Sequence, residues 1–150
     1  MSPDEFKLAY PYLYDPSLSS DSVIKSDLEY ISHHWQDLSF DPWEESYAYG
    51  HYFNIIAMRE ALAVGIELSQ KLDDPGAADW YQIHLDEMSN YLQEFWSPEE
   101  GFIKSTLDHQ RGVEWKTKNL DTAVMIATLL ANATTPKDIS SLSAPPKKNT

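Results

Sequence analysis

The chain contains no cysteine, which excludes a disulfide framework, a thiol nucleophile and any cysteine-ligated zinc or iron–sulfur centre. Basic residues are scarce: 11 Lys and Arg stand against 24 Asp and Glu in 150 residues, a formal net charge of −13. Nucleic-acid binding and polybasic membrane contact both need clustered cations, so neither is expected. No run approaches the roughly 20 apolar residues that span a bilayer. The longest, Ala123 to Ala133, is interrupted by Thr128 and Asn132. The opening residues, Met1-Ser-Pro-Asp-Glu-Phe-Lys, lack the basic and apolar regions of a secretory signal. There is no Gly-rich phosphate loop and no Gly-x-Ser-x-Gly elbow, so nucleotide binding and serine-hydrolase chemistry find no support.

Aromatic residues, by contrast, are plentiful: five Trp, nine Tyr and five Phe make up 13% of the chain. Disordered acidic segments are poor in such side chains, and 150 residues suffice for one domain. Residues 1–20 predict an extended segment, because Pro3, Pro11 and Pro16 forbid continuous helix. Residues 21–133 predict a helical domain, and the Ser-, Pro- and Lys-rich residues 134–150 a disordered tail. Asp21 is placed to cap a first helix reaching about His34, with Ile24, Leu28, Ile31 and Trp35 on one stripe. A second helix is predicted from about Tyr49 to Leu72, with Phe53, Ala57, Ala61, Val64, Leu68 and Leu72 inward and Gly65 admitting a neighbouring helix. Asp74-Pro75 marks the start of a third, running to about Trp96 with Trp80, His84, Met88, Tyr91, Leu92 and Phe95 inward. Ser97 to Lys118 is expected to be a long loop in which Phe102-Ile103 could pair with Val113-Glu114-Trp115. Asn119 or Asp121 opens a fourth helix to about Ala133, apolar nearly all round and therefore expected to be buried. The class is all-α: about four helices and a long loop. Three amphipathic helices offer such a fourth helix little cover, which predicts an oligomer or a larger body.

One segment gathers chemistry: Phe40-Asp41-Pro42-Trp43-Glu44-Glu45, followed by Tyr47, Tyr49, His51 and Tyr52. An indole face packs on the C–H face of a pyranose, and carboxylates accept from sugar hydroxyls. A carboxyl beside an aromatic wall can be kept protonated by desolvation and act as a general acid. The same residues also fit a plainer reading, in which Glu44 and Glu45 favour a helix N-terminus and Trp43 is its hydrophobic staple. His33 and His34 point apart on one helix and do not form a metal site. His51 and His84 read as hydrogen-bonded structural residues, and His109 as exposed. Asn132-Ala133-Thr134 is a glycosylation sequon, relevant only to a secreted protein.

Over a longer span, Asp27-Leu28-Glu29-Tyr30-Ile31, Trp35, Phe40 to Glu45, His51-Tyr52-Phe53 and Arg59-Glu60-Ala61-Leu62 together resemble the active-site segment of the glucoamylase family, glucan 1,4-α-glucosidases of glycoside hydrolase family 15. Tyr91-Leu92, Phe95-Trp96 and Leu120-Asp121-Thr122-Ala123 resemble the helices that follow it, so the resemblance covers about Val23 to Ala133. It implies a segment of an (α/α)6 toroid and release of glucose, with inversion, from the non-reducing ends of α-1,4-glucans such as starch, glycogen or maltodextrin. It implies Glu44 as the general acid, Asp41 as a motif aspartate that supports it and has sometimes been assigned the role of base, and Trp43 and Glu45 as residues lining the glucose pocket. No metal or organic cofactor is implied, and family members are secreted or vacuolar. Inverting enzymes separate their two carboxyls by roughly 6.5–9.5 Å, so a base three residues from Glu44 fits poorly. The family's base is a glutamate nearer the C-terminus, with no counterpart motif here, and the family's upstream Trp and Arg have none either. Ser39 stands where members have Gly, and Tyr47 to Gly50 replaces an Asn-Gly-Ser-like run, which predicts a reshaped pocket loop. The alternatives are a catalytically silent helical remnant that binds glucan or serves as an interaction module, and a trehalase-like enzyme on the same toroid.

Overall fold

The computed structural model describes residues 11–17, 22–114 and 116–132. The N-terminal position Asp21, the tail 134–150 and Trp115 therefore lie outside the described residues. Among the described residues, four α-helices of twelve or more residues are present: α1 Val23–His34, α2 Tyr52–Lys71, α3 Pro75–Tyr91 and α4 Asp121–Asn132. Residues 11–13 are also helical, where the prolines predicted extended chain. Five short strands accompany them: β1 Ser39–Phe40, β2 Ser46–His51, β3 Trp96–Ser97, β4 Phe102–Ile103 and β5 Thr106–Gly112. No helix among the described residues is long and apolar enough to cross a membrane.

The chain divides into two compact units, and α2 and α3 contribute residues to both. The first comprises the described residues up to Trp35 together with Met58–Glu87. Its core holds Leu28, Leu62, Ala78 and Tyr81. Gly65 lets α1 approach α2 closely: a Cβ there would stand 2.7 and 2.9 Å from the Leu28 methyls. Asp74 caps α3, accepting from Ala77 N–H, and its Oδ2 receives Lys25 Nζ at 2.5 Å and the Tyr14 hydroxyl at 2.9 Å. Tyr14 also bonds Ser69 Oγ at 2.8 Å, and burial foremost lifts its phenol to about 12. The predicted apolar stripes need correction here. Ile24, Ile31, Ala61, Val64 and Leu68 line a groove of about 560 Å³ between α1 and α2, and Val64 is 67% exposed. The buried face of α2 is instead Ile55, Ile56, Leu62, Ile66 and Ser69. On α3, Trp80 is partly exposed while Tyr81 is fully buried and donates to Glu29 at 2.9 Å.

The second unit comprises Gln36–Ala57 and the described residues from Met88 onward. Tyr49 to His51 belong to β2, so α2 begins later than predicted. Likewise α3 ends at Tyr91, tightening into a 3₁₀ turn over Leu92–Phe95 before β3. The predicted pairing of Phe102-Ile103 is replaced by antiparallel β3–β4, with Trp96 opposite Ile103. Within the long loop, β5 pairs antiparallel with β2, while β2 also pairs with β1, giving sheet order β1-β2-β5. Gly50 lets the sheet meet Tyr91 and Phe95 so closely that a Cβ would overlap the Tyr91 hydroxyl and press on the Phe95 ring. The core here is Ala48, Tyr52, Ile55, Met88, Phe95 and Met125. Contrary to the expectation of burial, α4 exposes Ala123, Val124, Ala127 and Thr128.

Candidate active site

The segment with the most chemistry lies in the hairpin loop between β1 and β2, not at a helix N-terminus. The plainer reading, in which Glu44 and Glu45 complement a helix dipole, therefore fails, since α2 starts only at Tyr52. Pro42 presets a turn that closes through Glu44 N–H to Asp41 O at 3.0 Å.

Asp41 organises this loop from within. Its Oδ1 accepts from Glu45 N–H at 2.8 Å and Ser46 N–H at 2.7 Å, and its Oδ2 accepts from Trp43 N–H at 3.3 Å. Its own N–H returns to Ser46 O at 3.0 Å. Oδ2 also pairs with Lys116 Nζ, and both side chains are nearly sealed from water, at 3% and 4% exposure. Burial alone would raise the Asp41 carboxyl. The bond from Lys116 and the N–H donors of Ser46 and Glu45 outweigh it and hold the group ionised, below the usual carboxylate range.

Lys116 is the member of the site that sequence reasoning missed. Its ammonium reaches Glu45 Oε2 at 2.7 Å and Asp121 Oδ2 at 3.2 Å as well as Asp41. Burial works against its charge, yet the three carboxylates lift it well above an ordinary lysine. It also lies 5.1 Å from the Trp43 ring centroid. Its place follows from β2–β5 pairing, Ser46 opposite Gly112, followed by Val113 N–H to Glu45 O at 2.9 Å. Gly112 is required at that join: its φ is +91°, and a Cβ would run into the Glu45 carbonyl.

The structure brings all four predicted residues into this one loop. Trp43 is 46% exposed and meets Phe53 edge-on at 5.6 Å. Glu45 is exposed beyond its bond to Lys116. Glu44 is exposed and takes φ +57°, a left-handed backbone that a residue with a Cβ adopts rarely. The desolvating aromatic wall expected around its carboxyl is thus not built by the described residues alone. His51 is buried, and its Nε2 donates to Ser39 O at 3.0 Å, as a structural histidine should. Burial is the main cause pushing its imidazole below the usual value. His109, expected to be exposed, is half-buried. Among the described residues no group of three His, Asp or Glu is arranged to hold a metal ion.

Comparison with known proteins places this loop in context. The chain is 31% identical over 110 residues to a probable glucoamylase of Schizosaccharomyces pombe, covering 73% of this chain and 23% of that protein. It is 28% identical over 88 residues to glucoamylase GLU1 of Saccharomycopsis fibuligera, covering 59% and 16%. It is 27% identical over 110 residues to glucoamylase 1 of Rhizopus oryzae, covering 73% and 18%. The chain thus spans less than a quarter of the length of these relatives. No solved structure matches it significantly. The profile of glycosyl hydrolases family 15 matches from residue 15 to residue 149. That span takes in the Asp41 loop, both strands that frame it and the lysine that neutralises it, so the chain belongs to glycosyl hydrolases family 15.

Proposed function

We propose that this chain carries the acid-bearing loop of a glucoamylase that releases glucose, with inversion, from the non-reducing ends of α-1,4-glucans. The observation that carries the reading is the division of labour within one loop: a buried, ionised Asp41 fixes the turn, while Trp43, Glu44 and Glu45 are presented outward from it. In this reading Glu44 donates its proton to the glycosidic oxygen, Trp43 stacks on the glucose ring and Glu45 accepts from a hydroxyl. Asp41 supports the acid through the turn. Its four hydrogen-bond donors leave it poorly suited to activating water, so the base is assigned to a glutamate outside these 150 residues. The relatives named glucoamylase support the substrate class. A wall of further residues, from the rest of the toroid, completes the pocket around Glu44 and covers the exposed face of α4.

The test is glucose release from maltose and maltotriose by the natural gene product and its Glu44→Gln variant. The reading expects a kcat lower by about 10²–10⁴-fold, with an unchanged unfolding midpoint. Normal turnover by Glu44→Gln removes the assigned role. The second reading, a glucan-binding or interaction module without turnover, draws on the solvent exposure of Glu44. It predicts maltose binding by titration calorimetry with no glucose released by the wild-type protein.

A further inference from the structure

The Asp41 loop places three carboxylates within five positions, and one ammonium serves two of them. Lys116 has three N–H bonds, and three carboxylates surround it: Asp41, Glu45 and Asp121. The Trp43 ring lies close by as well. The lysine is fastened through its backbone as well as through its side chain. Its carbonyl accepts from the hydroxyls of Ser105 and Thr106, and its N–H reaches Val113 O at 3.3 Å. The ammonium is therefore a fixed point, set by the backbone around β5 and by Asp121 at the start of α4.

The two loop carboxylates depend on it differently. Asp41 is buried and needs a counter-charge to stay ionised. Glu45 is 55% exposed, and water would solvate it without help. For Glu45 the lysine supplies position instead of neutralisation. The bond uses Oε2, which leaves Oε1 to accept from a ligand hydroxyl. A free glutamate loses its rotamer freedom on binding a sugar, whereas a tethered one has lost it already, an advantage of roughly three- to tenfold in affinity per side chain. The nearby cation holds the Trp43 ring in the same way.

We propose that Lys116 is the positioning residue of this site, holding the Glu45 carboxylate and the Trp43 ring ready for a glucosyl unit. It governs how tightly an α-glucan binds, not how fast the glycosidic bond breaks. The proposal rests on the reading of the site given above.

The experiment compares KM and kcat for maltose, and Kd by titration calorimetry, in the natural gene product carrying Lys116→Gln or Lys116→Arg. Glutamine keeps a donor for Asp41. Arginine keeps the counter-charge and hence the fold, but its planar fork cannot direct single bonds to three carboxylates around a point. The expected result is a KM and Kd raised about tenfold in Lys116→Gln and at least threefold in Lys116→Arg, with kcat within threefold of wild type in Lys116→Arg, which keeps the counter-charge of Asp41. In a Glu45→Ala background the effect of either substitution should be at least halved, what remains passing through Trp43. A KM within twofold of wild type in folded Lys116→Gln overturns the proposal. So does an undiminished effect in the Glu45→Ala background. If Lys116→Gln does not fold, a wild-type KM in Lys116→Arg decides against it. Glu44→Gln in the same assay separates the two levels. Loss of turnover there, with Lys116 variants binding normally, sinks the positioning role alone, whereas full turnover by Glu44→Gln sinks the reading of the site beneath it.

Discussion

The ammonium of Lys116 lies against the carboxylate of Asp41 across 75 residues of sequence, and neither side chain has appreciable access to water. A buried pair of this kind adds little net stability as a pair, but removing one partner strands the other charge. Lys116→Met should therefore cost about 3–5 kcal/mol, read by urea unfolding. The double variant Asp41→Asn/Lys116→Met should recover a substantial part of that loss. A single-variant cost under about 1 kcal/mol contradicts the burial described for Asp41.

Acid should weaken the fold through Asp41 and Asp74. Burial raises each carboxyl, but their lysine partners and N–H donors prevail and hold both below the ordinary value. The folded state therefore binds these protons less readily than the unfolded chain. The stability they provide is complete above the unfolded pKa of about 3.9 and is lost as pH falls through the folded values. Melting temperature should be flat near pH 6 and fall steeply below about pH 4. Asp74→Asn should shallow that decline, and an unaltered slope would show that Asp74 is not titrating as described.

Two glycines with left-handed backbone separate strain from collision. Gly101 has φ +72° with nothing within 4 Å of a would-be Cβ, whereas Gly112 has φ +91° and faces the Glu45 carbonyl. Gly101→Ala should cost about 1–2 kcal/mol from the dihedral alone. Gly112→Ala should cost at least about 1 kcal/mol more and should also raise KM, since Glu45 must shift. Equal costs in chemical denaturation would mean that the β2–β5 join is not as tight as the geometry requires.

On the proposed role of Glu44, position 44 sets activity against stability. Its left-handed backbone costs a glutamate about 1 kcal/mol, a conformation that asparagine tolerates better. Glu44→Asn should raise stability by a few tenths of a kcal/mol or more. It should also reduce glucose release by roughly 10²–10⁴-fold. Thermal melting and a glucose assay on the same preparation check both halves, and a destabilised variant contradicts the strained geometry.

The helical class was legible in the sequence, and its place in an (α/α)6 toroid follows from the family. Local signals performed well where one residue decides the geometry. Asp74-Pro75 starts α3, and Gly65 admits Leu28. The inward face of α2 was misread because the helix carries two apolar stripes, one through Phe53, Ala61 and Val64, the other through Ile55, Leu62 and Ile66. Periodicity identifies a helix but does not choose between stripes. The alternation Tyr47, Ala48, Tyr49, Gly50 held the signal for β2, and β5 escaped notice because Asp108, His109 and Gln110 are weak strand formers. Lys116 was beyond reach for the same reason: without β2–β5 pairing nothing in its neighbourhood links it to Asp41. The loop's own residues, Asp41 through Glu45, were visible because their chemistry is concentrated in five consecutive positions.

The long separation between the loop and its cation has a consequence for biosynthesis. Residues 41–45 are synthesised roughly 4–15 seconds before Lys116 is added, at about 5–20 residues per second. During that interval the Asp41 carboxylate has no counter-charge and stays hydrated, so the loop is not sealed from water as the chain emerges. The burial of this corner of the fold therefore waits for β5 and the cation that follows it.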